Sequence, residues 1–124
     1  MSQTQLKCTV VPQFLEEHSR PAQQEFAFAY TVTIVNTGTV TLQVIARHWV
    51  ITDATGHVEE VRGLGVVGHQ PLLKPGERFE YTSWTRLNTP HGLMQGSLLC
   101  MTEEAQQVDV PIEPFTLARS QSLH

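Results

Sequence analysis

The chain has 124 residues, enough for one domain that buries about two thirds of its unfolded surface without disulfide or metal staples. Charged residues make up 16% and hydrophobic residues 40%, which excludes both a disordered chain and long helices laced with ion pairs. The net charge of −4, with the eight Lys and Arg scattered singly, excludes the basic face of a phosphate-backbone binder, so no nucleic-acid partner is expected.

No stretch reaches the roughly 18 apolar residues of a membrane helix, and no membrane insertion is expected. The start "MSQTQLKCTVV" lacks the basic segment and apolar core of a signal peptide, so the expected compartment is the cytoplasm. Cys8 and Cys100 are then expected as free thiols, with a disulfide between them as the alternative. Their spacing is too wide for a CxxC pair or a zinc knuckle.

The first strand-like stretch, "LKCTVVPQFL" (residues 6–15), contains Pro12 and reads as an edge. "EFAFAYTVTIV" (25–35) alternates strictly: Phe26, Phe28, Tyr30, Val32 and Ile34 face a core, and Ala27, Ala29, Thr31 and Thr33 face outward. "NTG" (36–38) is expected to close a hairpin into "TVTLQVIARHWVITD" (39–53). In that strand the apolar phase shifts near Val44 and Ile45, which predicts a bulge or a change of sheet; Trp49 is expected in the core. "DATG" (53–56) has the Asp and Gly of a type I turn, and "HVEEV" (57–61) is a short, polar, edge-like strand. "ERFEYTSWTRL" (77–87) places Phe79 and Tyr81 on one face and Glu80, Thr82 and Trp84 on the other, leaving Trp84 a candidate for exposure. "LMQGSLLCM" (93–101) and "QVDVPIEPFTL" (107–117) follow, the latter held to an edge by Pro111 and Pro114. Seven strands with a turn signal about every ten residues predict an all-β fold, a seven-stranded antiparallel β-sandwich of immunoglobulin or fibronectin type III kind. A single domain is expected over 1–124, with its core at about 6–117 and a tail at 118–124 that is loose at its end.

Gly63, Gly65 and Gly68 spell GxGxxG. In a dinucleotide-binding fold that pattern needs a buried parallel strand before it, a helix N-terminus after it and an acid about twenty residues on. Here the strand before it is polar, Pro71 and Pro75 leave no room for a helix, and no Gly-Lys-Ser/Thr occurs. Two readings remain. The favoured one is structural: the glycines supply positive φ for a crossover between sheets, with Leu64, Val66 and Val67 plugging the end of the sandwich. The other is an anion nest of backbone N–H groups, flanked by Arg62, His69 and Lys74. The six histidines form no HxH, HxxxH or HExxH spacing, no GxSxG elbow occurs, and no catalytic set or metal site is expected. Asp53, Glu59 and Glu60 read as a solvated turn and edge strand rather than as magnesium ligands. Trp84 beside Arg86 suits a partner interface, or else a cover for the sheet edge.

The segments "FAYTVTIVNTG", "RHWVITDATG", "GLGVVGHQPLLKPGERFEYTS" and "TPHGLMQGSLLCM", in this order, resemble the bacterial ApaG family from about Cys8 onward. The resemblance implies a fibronectin-type-III-like sandwich. It also implies kinship with domains of eukaryotic F-box proteins and of a mitochondrial polymerase-interacting protein, where they are regarded as interaction modules. The family takes its name from a gene beside a diadenosine tetraphosphate hydrolase and has been linked to cobalt and magnesium resistance or efflux; a chain with no membrane span could only regulate an efflux pump. "LKPGERF" is similar to the tyrosine corner of fibronectin domains, but Phe79 holds the tyrosine's place, so the corner bond is either absent or made by Tyr81. The leading expectation is a non-enzymatic module for protein partners, presenting Trp84 and Arg86 and needing no cofactor. The alternative is a regulator that binds a phosphorylated ligand (diadenosine tetraphosphate, pyrophosphate or a nucleotide) or a divalent cation at residues 63–68.

Overall fold

The computed structural model describes residues 4–119. Its strands are β1 (Leu6–Phe14), β2 (Phe26–Asn36), β3 (Leu42–Asp53), β4 (Val58–Leu64), β5 (Leu72–Leu73), β6 (Arg78–Leu87), β7 (His91–Thr102) and β8 (Gln107–Ala118). Two short 3-10 turns, Glu16–His18 and Pro21–Gln23, connect β1 to β2. The seven expected strands are all present, and the two-residue β5 is added to them. All pairings are antiparallel. One sheet has the order β1-β2-β6; the other has the order β4-β3-β7-β8, with β5 also pairing to β3. The two sheets form the expected immunoglobulin- or fibronectin-like sandwich.

The period-2 pattern of β2 becomes its burial: Phe28, Tyr30, Val32 and Ile34 are buried against the opposite sheet. From that sheet Leu42, Val44, Trp49, Ile51, Met94, Leu98, Cys100 and Leu117 face them. Trp49 stands edge-on to Tyr30, with centroids 5.5 Å apart, and to Phe115 at 5.9 Å, so one aromatic cluster ties β2 to β3 and β8. The phase shift in β3 is a bulge: its register against β7 slips between Val44 and Ala46.

Two expectations about connections are corrected. "NTG" does not close a hairpin, because β2 and β3 lie in different sheets. Asn36, 1% exposed, ties this passage down: its Nδ2 donates to Val40 O (2.9 Å) and Leu73 O (2.8 Å), and its Oδ1 accepts from Gly38 N–H (2.9 Å). The glycine loop is not the crossover between sheets either. It returns to β5 on the same sheet, and the crossing comes afterwards, at the turn where Glu77 N–H donates to Lys74 O (2.9 Å). At the C-terminal end, β8 runs through Ala118 and Arg119 N–H donates to Pro90 O (2.8 Å); residues 120–124 of the expected tail lie outside the described residues.

Candidate functional site

Residues 63–70 are built around main-chain carbonyls. Gly65, at φ +67°, donates its N–H to Ile45 O (2.7 Å), the carbonyl at the β3 bulge, which also accepts from Gln70 Nε2 (3.0 Å). A Cβ on Gly65 would stand 2.5 Å from His69 O, so only glycine fits there. Val66 and His69 exchange both main-chain bonds (2.7 and 3.1 Å) across Val67 (φ +49°) and Gly68 (φ +80°), the two positive φ values of a type I′ turn. The N–H groups of Gly65, Val66 and His69 are thus bonded to carbonyls. Arg47, which the sequence reading left out, lies over Gly63 and donates Nη1 to the carbonyls of Leu64 and Gly65, both at 3.1 Å.

The flanking charges are dispersed. Arg62 Nη2 meets Glu60 Oε1 at 3.2 Å, and the same oxygen lies 2.7 Å from His48 Nε2; these bonds hold the exposed Glu60 carboxyl below its usual range, the His48 bond contributing most. The His69 ring packs against Phe79 with centroids 5.5 Å apart. Lys74 sits in the turn before β6, where its N–H donates to Glu77 Oε1 (2.9 Å). Of the expected apolar plugs only Val66 is buried; Leu64 (75% exposed) ends β4, whose residues are open on both faces, and Val67 (53%) sits at the tip of the turn.

A second region lies on the outer face of the three-stranded sheet. Trp84 is 63% exposed and stands opposite Ala29; Arg86 stands opposite Ala27. The small side chains of β2 thus form a floor beside two large ones of β6. The far wall is the segment after β1, anchored to β2 by Leu15 N–H to Ala27 O (2.8 Å), Ala27 N–H to Ser19 Oγ (2.8 Å) and Ser19 Oγ to Leu15 O (2.7 Å). The result is an open groove of about 610 Å³ that also takes in Glu17, His18, Arg20 and Glu25. The Arg86 side chain makes no ion pair or hydrogen bond among the described residues. The sequence signalled Trp84 by its phase; the 3-10 wall carried no such signal.

Other candidates stay apart. Cys8 and Cys100 are free thiols, and burial pushes their pKa values up to about 11 and about 12. Among the described residues no three His, Cys, Asp or Glu side chains are placed to hold a metal ion, and no helix is long and apolar enough to cross a membrane. The fibronectin-like corner bond is absent: the Tyr81 hydroxyl is buried without a partner, and burial raises its pKa.

Sheet order, aromatic cluster and open outer face define a fibronectin-type-III-like β-sandwich domain. Residues 16–102 match the ApaG domain family. The chain is 54% identical over its full length to the whole of Protein ApaG of Ralstonia nicotianae. It is 50% identical over 99% of its length to 98% of Protein ApaG of Pseudomonas syringae pv. tomato. The crystal structure of an ApaA protein from Bordetella pertussis is 52% identical, with a TM-score of 0.93 over 96% of this chain and 97% of that one. The chain belongs to the ApaG family.

Proposed function

We propose that this protein is a non-enzymatic protein-interaction module whose docking face is the groove beside Trp84. The observation that carries this reading is the indole itself: a large aromatic ring, 63% exposed, on a small-residue floor and next to an unpaired Arg86. Trp and Arg are the side chains that most often anchor interfaces, because each buries much area and adds a directional polar contact. The groove suits an extended segment with an apolar side chain for Trp84 and a carboxylate for Arg86. On this reading any effect on cobalt or magnesium handling passes through a protein partner. The absence of catalysis is part of the proposal. It is supported by the scatter of perturbed titratable groups: Cys8, Tyr30, Tyr81 and Cys100 are shifted by burial, and Asp53 and Glu60 by local bonds on exposed turns and edges. The test is affinity capture from native lysate with wild-type bait and with Trp84→Ala/Arg86→Ala bait of equal thermal stability. A partner held by the first and lost from the second supports the reading; recovery of none above background, or equal recovery on both, overturns it.

The regulator reading, with a phosphorylated ligand or cation at residues 63–68, has less support. Three of the loop's N–H groups already face carbonyls, and Arg62 is paired to Glu60. NMR titration with pyrophosphate, nucleotides, diadenosine tetraphosphate, Mg²⁺ and Co²⁺ distinguishes the two. Saturable shifts of the Gly63, Gly65 or Gly68 amides would favour the regulator.

A further inference from the structure

The free edge of β4 carries a pattern that neither the Trp84 face nor the glycine loop explains. Three of the exposed large hydrophobic residues, Val58 (51%), Val61 (40%) and Leu64 (75%), lie on this one strand, interleaved with Glu59, Glu60 and Arg62. The bonding phase of the strand is fixed at both ends: Asp53 N–H donates to His57 O (2.9 Å), and Gly65 N–H donates to Ile45 O (2.7 Å). Between those ends β3 and β4 keep one register, Thr52 opposite Val58 through Ala46 opposite Leu64. Antiparallel ladders bond alternate pairs, so Glu59, Val61 and Gly63 turn their N–H and C=O groups toward β3. Val58, Glu60, Arg62 and Leu64 turn theirs outward, to the open edge, where the Leu64 C=O already accepts one bond from Arg47 Nη1 and keeps a second lone pair.

We propose that a second copy of this chain pairs with that edge, β4 to β4, antiparallel about Val61, joining the two larger sheets into one. The bonding phase allows only registers that place outward-bonding residues opposite one another. Three such registers overlap most of the strand. One sets Glu60 against Glu60, and another sets Arg62 against Arg62. The third, centred on Val61, sets Glu60 against Arg62, Val58 against Leu64 and Val61 against Val61. It alone is free of like charges facing each other, and it pairs apolar with apolar at the ends and in the middle.

Two further observations fit this register. Both short contacts of Glu60, to His48 and to Arg62 of its own chain, use Oε1, which leaves Oε2 for Arg62 of the second copy and closes a ring of four alternating charges. On the other face, Glu59 stands opposite Gly63 of the second copy, the residue against which Arg47 lies. Arg47 uses only Nη1 within the chain, so its Nη2 is available to that carboxylate. Four outward residues per copy give a main-chain ladder, and the small area places the dimer in the weak, reversible class. Charged edge strands also serve to prevent pairing, and the experiment separates the two roles.

Sedimentation velocity tests the proposal. The wild-type boundary is expected to move toward twice the monomer mass as concentration rises. Glu60→Arg and Arg62→Glu each place like charges opposite one another and are expected to stay monomeric. Mixed in equal amounts, the two variants are complementary at every pair and are expected to restore the dimer. Amide exchange of the wild-type protein gives a readout independent of any variant. Val58, Glu60, Arg62 and Leu64 should become protected as concentration rises, while Glu59, Val61 and Gly63 are protected throughout. A wild-type monomer at every concentration would assign these charges to edge protection and overturn the pairing. Self-association unchanged in both single variants, a monomeric mixture beside a dimeric wild type, or exchange of the four outward amides that ignores concentration would each overturn it as well.

Discussion

Asn36 and Tyr81 are both buried polar side chains on the smaller sheet, and their surroundings give them opposite effects on stability. The Asn36 amide bonds two carbonyls and one N–H where the chain passes between sheets, the Leu73 carbonyl among them in a buried position and the other two half-buried. Replacing it with Ala removes all three bonds, and chemical denaturation should show a loss of about 2–4 kcal/mol. The Tyr81 hydroxyl satisfies nothing. In the unfolded chain water bonds it, so its burial costs free energy, and Tyr81→Phe should raise stability by about 1 kcal/mol in the same measurement. Gly65→Ala combines a positive φ with a close approach to the His69 carbonyl, and should destabilise by about 1–3 kcal/mol. The sequence marked Gly65 as special through a nucleotide-binding pattern; the structure supplies the physical reason, a carbonyl 2.5 Å from where the Cβ would stand.

Beside the main-chain bonds that close the β3–β4 hairpin, one side chain takes three more. Asp53 Oδ1 accepts from Thr55 N–H (2.9 Å), Thr55 Oγ1 (2.7 Å) and His57 N–H (3.0 Å). The Thr55 hydroxyl bond is the largest cause of a carboxyl pKa below the ordinary 3.8. The folded value is the lower one, so this contribution is fully present above about the ordinary value and is lost as pH falls through the folded value. Asp53→Ala should therefore lower the Tm at neutral pH, and the difference from wild type should shrink in melts recorded at progressively more acid pH. "DATG" was legible as this turn because Asp53 and Gly56 set it through bonds within five residues, although Ala54 N–H also donates to the distant Thr89 Oγ1 (3.0 Å). "NTG" was misread because its turn residues specify a reversal of direction but not which sheet receives the chain; that depended on Leu73, far along the sequence, accepting from Asn36.

Across the sandwich, both thiols are shielded by packing between sheets rather than by any local feature. Burial alone raises Cys8 to about 11 and leads the rise of Cys100 to about 12, so neither supplies appreciable thiolate near neutral pH. Both should react slowly with a thiol reagent under native conditions and rapidly in denaturant. Rapid native labelling of Cys100, which is fully buried in the structure, would contradict the packing described. What the residues determined by themselves was seven of the eight strands, their inward phase, the β3 bulge and the edge character of β1, β4 and β8. Those properties follow from period-2 alternation, from the missing proline N–H in β1 and β8 and from the polarity of β4, all short-range effects. Only the tertiary structure decided which strands share a sheet, that Arg47 covers the glycine loop, that a 3-10 segment walls the groove at Trp84, and which groups of β4 face its open edge. These depend on contacts between residues distant in sequence, and alternation along one strand carries no record of what lies beside it.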